Sequence, residues 1–295
     1  MPFLEHGTTV QRLPQRLARP GAVQVIAVTG GKGGVGKTTV AINLAAALAA
    51  QGRRALLLDG DLGLANVDVL LGITPRFNLA HVIAGERTLE EIILQAPCGF
   101  RVVPGASGVA RLANLSEMET LGLVRSFSAL TGTIDTLIVD TPAGIAPTVL
   151  QLAQAAQHVL LVVCDEPASL TDAYGLIKVL SRNHDVSSFR VVANMVRSQG
   201  AGLSLFETLK RVTSRFLNVT LDYCGEIPDD IYLKRSIREQ RPVITAFPTT
   251  RSSKALKALA LRADTWPIPA GARGNIEFFA ERLVQRTAVR LEVVR

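Results

Sequence analysis

Gly30-Gly31-Lys32-Gly33-Gly34-Val35-Gly36-Lys37-Thr38-Thr39 is preceded by an apolar run from Val23 to Val28 and followed by Val40-Ala-Ile-Asn-Leu-Ala-Ala-Ala-Leu. Apolar strand, glycine loop, helix is the reading of that order. From Gly31 to Thr38 the spacing fits G-x-x-x-x-G-K-[ST], the phosphate-cradling loop. Glycines suit it because successive backbone N–H groups must turn inward onto phosphate oxygens, where side chains would block the approach. The helix that follows adds its positive amino-terminal end. Candidate nucleotide-binding residues are therefore Gly31, Lys32, Gly33, Gly34, Val35, Gly36, Lys37, Thr38 and Thr39. Lys37 is expected at the β- and γ-phosphates, and the Thr38 hydroxyl at Mg²⁺.

Two further strands should bring carboxylates to the same place. Ala55-Leu-Leu-Leu is apolar throughout, which marks a strand buried on both faces of a parallel sheet, and it runs into Asp59-Gly60-Asp61. Thr136-Leu-Ile-Val ends in Asp140, the pattern of a strand that presents an acid near the metal. In doubly wound sheets, ligands bind outside the carboxyl ends of the strands. Asp140 is thus expected beside Mg²⁺ together with Thr38, while Asp59 and Asp61, one residue apart at a strand end, can serve a metal shell and a water. Taken by itself, Asp61 fits a turn or helix cap as well as a water-positioning carboxylate. Strands alternating with helices throughout make the fold class α/β, a doubly wound, mostly parallel sheet.

One residue goes beyond the general motif. With Lys32, the loop reads KGGVGKT, and on this motif the sequence resembles the MinD/ParA family of deviant Walker A ATPases. The run Asp61-Leu-Gly-Leu-Ala-Asn66-Val-Asp68 looks like the family's FlhG/FleN branch, the flagellar-number ATPases, although Gly60 stands where that branch usually has alanine. The resemblance covers roughly residues 23–285. It implies a catalytic Lys32 that reaches a dimer partner's nucleotide, a catalytic Asp61 that positions the attacking water, and Gly144 in the switch after Asp140. It also implies ATP and Mg²⁺ as cofactors and adenine contacts at Asn194, with Pro228 and Asp229 as a second base-contacting loop. Asn194-Met-Val-Arg is not the Asn-Lys-x-Asp of guanine readers, which favours ATP. The partners implied are a second copy of the chain in the ATP state, a FleQ-like flagellar transcription activator, an FlhF-like GTPase and flagellar switch-ring proteins. Without the resemblance, Lys32 is a solvated loop cation and Asn194 a strand-end turn residue.

Composition sets wider limits. The chain has 295 residues, 48% of them hydrophobic and only 19% charged, enough for one large α/β core rather than a disordered chain. A formal charge of +7 favours polyanionic partners without choosing among nucleic acid, acidic protein and anionic membrane. Cys98, Cys164 and Cys224 are far apart and form no C-x-x-C pair, which argues for a reducing, cytosolic setting and against a structural zinc. No apolar run reaches the length of a membrane span.

Residues 1–22 read as a flexible basic tail, without the GTPase-engaging motif of related flagellar ATPases. The ATPase domain is expected over 23–265. Residues 266–295 form a linker, broken by Trp266-Pro-Ile-Pro, and a terminal amphipathic helix. On that helix Ile276, Phe279, Ala280, Leu283 and Thr287 share one face, with Glu277, Glu281 and Gln285 opposite. Such a helix can lie on an anionic membrane surface or dock on its own domain. The resemblance favours membrane contact in the ATP state. Two other functions fit parts of the pattern. A ParA-like carrier would hold DNA non-specifically, and a metabolic P-loop enzyme would phosphorylate a small substrate with further catalytic groups that the sequence does not display.

Overall fold

A computed structural model describes residues 22–61, 67–105, 117–269 and 276–285. Eight strands form one sheet in the order β3-β4-β2-β5-β1-β6-β7-β8. They span Gln24–Thr29 (β1), Ala55–Asp59 (β2), Leu94–Gln95 (β3), Arg101–Val103 (β4), Thr136–Asp140 (β5), His158–Cys164 (β6), Ser188–Val196 (β7) and Thr220–Pro228 (β8). Neighbouring strands run parallel except the two-residue β3, which is antiparallel to β4. β1, β2, β5 and β6 are buried at every residue, as unbroken apolar strands flanked by helices must be. From β1 the chain moves to one side of the sheet for β2 and β4, then crosses to β6, β7 and β8 on the other. The glycine loop therefore leaves the sheet at the point where strand order reverses, where ligands of such sheets bind.

The helix that follows the loop, Lys37–Ala50, is alanine- and leucine-rich on all sides and buried for most of its length. Its register ends at Gly52, whose φ of +83° is the left-handed C-terminal stop that glycine supplies. With helices Ile231–Arg238, Val243–Ala246 and Arg251–Asp264 it covers one face of the sheet. Helices Glu117–Ser128, Pro147–Ala155, Pro167–Asn183 and Ala201–Phe216 cover the other. Cys164 and Cys224 are buried and all three cysteines are free. The short helix Leu89–Ile92 ends where Leu94–Gln95 pair with β4 as β3.

The boundary expected near Thr265 is not a boundary of packing. Trp266 is 7% exposed, with the Arg190 guanidinium stacked on its ring 4.5 Å from the centroid. The terminal helix, Ile276–Gln285, lies against helices Glu117–Ser128 and Pro147–Ala155. Its apolar face is inside: Ile276, Phe279, Ala280 and Leu283 are each at most 1% exposed, and Phe279 meets Phe127 edge-to-face at 5.9 Å. The face that could have met a membrane is part of the core here. Thr287 lies outside the described residues. Truncating such a buried aromatic leaves a cavity worth about 3–5 kcal/mol. Phe279→Ala should lower the unfolding free energy of the nucleotide-free protein, measured by denaturant titration, by that much; an unchanged value would show the helix detached in solution.

Candidate functional site

The loop is shaped by two left-handed glycines, Gly34 at φ +81° and Gly36 at φ +89°. A side chain on Gly34 would point into open space, whereas a Cβ on Gly36 would collide with Asn194 Nδ2, so the loop opens to solvent at Gly34 and packs on the fold at Gly36. Lys37, 8% exposed, folds its ammonium back towards the Lys32 carbonyl at 3.5 Å. Burial lowers its pKa, while Asp140 and Asp61 act to raise it. The switch segment is stitched to the loop. Thr141 donates to the Val28 carbonyl through its N–H and through its hydroxyl, both at 3.1 Å, and the Gly144 N–H donates to Gly30 O at 3.1 Å.

Asp59 and Asp140 are register partners at the ends of β2 and β5, 2% and 1% exposed. Burial pushes both carboxyls up to about 7. For Asp59, the backbone N–H groups of Asp61 (3.1 Å) and Val67 pull the other way. For Asp140, the Thr38 hydroxyl faces the carboxylate at the edge of hydrogen-bonding geometry, and Lys37 also draws its pKa down. Both Asp140 oxygens are buried without a well-formed hydrogen bond, which is costly unless a cation completes them. Gly60 makes the arrangement compact. Its N–H donates to Asp140 O at 2.9 Å, and a Cβ there would stand 2.5 Å from that oxygen. Glycine at this position thus fits the close approach of the two strand ends. Asp61 comes within charge range of Lys37 and Asp140.

These groups fit Mg²⁺. That ion takes one or two carboxylates and keeps the rest of its shell for water and phosphate. Accordingly, no cluster of three or more His, Cys, Asp or Glu side chains suited to a metal occurs among the described residues. Thr38, Asp59 and Asp140 would hold it, and its charge would offset that developing on a transferred phosphoryl group.

Asn194 does something the spacing did not reveal. It is 2% exposed and its Nδ2 donates to the Val35 carbonyl at 2.8 Å, so the end of β7 grips the loop. The Oδ1 is buried and has no hydrogen-bond partner. Pro228 ends β8 and is buried, the Asp229 N–H donates to Val196 O at 2.9 Å, and the Asp229 carboxylate pairs with Lys234 at 2.6 Å. Lys32 is held within its own chain, its ammonium 2.5 Å from Glu166. That contact raises the lysine pKa and lowers the glutamate pKa. Glu166 lies 134 residues from Lys32, and nothing local in its sequence announces the pairing.

Residues 26–243 match the CobQ/CobB/MinD/ParA nucleotide binding domain. The chain belongs to that family. Within it, the chain is 55% identical to the antiactivator FleN of Pseudomonas aeruginosa, over 90% of this chain and 95% of that protein. It is 34% identical to the flagellum site-determining protein YlxH of Helicobacter pylori, over 81% of each. Among solved MinD/ParA-type structures, the septum site-determining protein MinD of Pyrococcus horikoshii, complexed with Mg-ADP, superposes with a TM-score of 0.66 at 26% identity. That match covers 82% of this chain and 96% of the other. The family fold is the P-loop α/β sheet described above, and both likenesses to flagellar proteins agree with the run Asp61 to Asp68.

The raised carboxyls set a pH dependence. Between the ordinary aspartate range and about 7, the folded chain holds protons that the unfolded chain releases. Stability without nucleotide or metal therefore falls as pH rises through that window, and the penalty is complete above it. Asp140→Asn cannot ionise. It should raise the melting temperature above wild type at pH near 8 and by clearly less near 5, while abolishing the stabilisation that Mg-ADP confers. Equal shifts at both pH values would remove Asp140 from this role.

Proposed function

We propose that this chain is a slow, magnesium-dependent ATPase that works as a dimerising switch controlling flagellar number and placement. Support for the chemistry comes from one observation: Lys37, Asp59, Asp61 and Asp140 converge on the open loop, with Asp140 buried and lacking a good partner. In the reaction, Lys37 binds the β/γ-phosphates and the loop N–H groups hold their oxygens. Asp61 orients a water for in-line attack on the terminal phosphorus. The P–O bond to the leaving ADP breaks, and the water's proton passes to the phosphate produced. The free Oδ1 of Asn194 suits the exocyclic amine of adenine, which supports ATP.

Support for the role comes from likeness to proteins named as the antiactivator FleN and the flagellum site-determining protein YlxH. On this reading the ATP-bound dimer restrains a FleQ-like transcription activator and works with an FlhF-like GTPase and switch-ring proteins. Lys32 leaves Glu166 to reach the partner's nucleotide. No helix among the described residues is long and apolar enough to cross a membrane. Membrane contact therefore belongs to the state in which the terminal helix has left the domain, since Phe279 and Leu283 are buried when it is docked.

Asp61→Ala should bind ATP, lose hydrolysis by roughly two orders of magnitude and accumulate as a dimer. Light scattering that finds it monomeric with ATP while the wild type dimerises would overturn the assignment.

Lys37→Ala should lose nucleotide binding, because it removes the charge facing the phosphates. By contrast, Lys32→Ala should retain binding and fail to dimerise. An equal loss of ATP affinity in both, measured by calorimetry, would place Lys32 in the binding site of its own chain.

A further inference from the structure

Behind the phosphate loop lies a shallow groove, floored by Thr39 and Asn43 of the P-loop helix and walled by Leu70, Ile237 and Arg241. Its walls are tied together. Gln240, in left-handed conformation at φ +52°, donates from Nε2 to the Val69 carbonyl at 2.8 Å, joining helix Val67–Leu71 to the end of helix Ile231–Arg238. Asn43 donates to Thr39 O at 2.9 Å and accepts from the Ile244 N–H at 3.4 Å, which fixes the floor to the opposite wall.

The rim is apolar and cationic at once. Val69 is 59% exposed and Ile237 36%, side chains that a globular surface usually covers when they cluster. On helix Ile231–Arg238 two cations are neutralised in place, Lys234 by Asp229 and Arg235 by Glu239. Arg241, which lines the groove, and Arg238, the residue after the lining Ile237, are exposed and have no carboxylate partner among the described residues. Asp68, the acid nearest in sequence to Val69, lines the cavity beside Asp59 instead. Residues 197–262 contain twelve Lys and Arg against six Asp and Glu, so the chain's excess positive charge gathers in this region.

We propose that this groove docks an acidic segment of a protein partner, with an aliphatic side chain seated between Leu70 and Ile237 and carboxylates on Arg238 and Arg241. The proposal rests on the switch reading. An aliphatic anchor between two unpaired guanidinium groups is the signature of a peptide surface; a nucleic-acid backbone would use the cations and leave the apolar seat empty. Docking reports on the nucleotide because the floor begins at Thr39, next to Thr38. One wall, helix Val67–Leu71, also follows closely on Asp59 to Asp61. A partner that prefers one placement of those elements shifts the balance of nucleotide states by its differential affinity.

The test uses the full chain with Mg-ATP against a displayed library of random peptides of about a dozen residues. Fluorescence anisotropy of the selected peptides follows. The expected winners carry an aliphatic residue flanked by Asp or Glu, and bind more weakly as salt rises. Affinity should drop about tenfold or more in Arg238→Glu/Arg241→Glu and in Ile237→Ser, with melting temperature and ATP affinity unchanged. Peptides with Glu→Lys should regain affinity for the charge-reversed variant. Selection of peptides without acidic residues, or affinities indifferent to these variants, would overturn the proposal. So would capture of a DNA duplex or phosphatidylglycerol vesicles through the same arginines in preference to peptides. Loss of the ATP-dependent dimer with peptide binding intact would give the face to a second copy instead. Hydrolysis that survives both Asp61→Ala and Lys37→Ala would sink the switch reading while leaving peptide docking standing, so the two failures are separable.

Discussion

Two carboxylates that cannot comfortably ionise in the protein interior lie side by side at the end of the sheet, and most of the molecule follows from keeping them there. Asp59 and Asp140 are neighbours by register, and their burial raises both pKa values. The arrangement is stable only because strands on either side are fully buried and leave the backbone no freedom to swing an aspartate into water. Lys37 offsets part of the charge, though it is itself desolvated. The edge is thus a region of unsatisfied electrostatics held by a rigid frame, which is how a protein prepares a place for an ion and a polyphosphate.

What could be read in the sequence follows from how far apart in the chain the interacting groups are. The glycine loop, Thr38 and the two strand-end aspartates are each encoded within about ten residues, and a loop of that kind carries its own geometry. The strands themselves came from apolar runs of the right length. The contacts that cross the fold were not visible. Lys32 with Glu166, Asn194 with Val35 and Gln240 with Val69 are side-chain choices made after the sheet has formed. Neither partner carries a local mark of them.

The terminal helix shows the limit of periodicity as evidence. Ile276, Phe279, Ala280 and Leu283 were legible as one apolar stripe, yet a stripe states only that the face will be covered, not by what. Here Phe127 and helix Pro147–Ala155 supply the cover. That same helix begins just beyond Gly144, so the segment after Asp140 and the segment capping the core share a support.

The hydrogen bond from Asn194 to Val35 bears on how ligands are told apart. A loop already clamped from the far side of the sheet does not need a ligand to organise it, so little conformational freedom is lost when phosphates arrive. Triphosphates of every base should then find the cradle equally well. On the proposed reading of Asn194 as a base contact, discrimination is left to its buried acceptor, which would reward a donor on the base and leave an acceptor facing it unsatisfied.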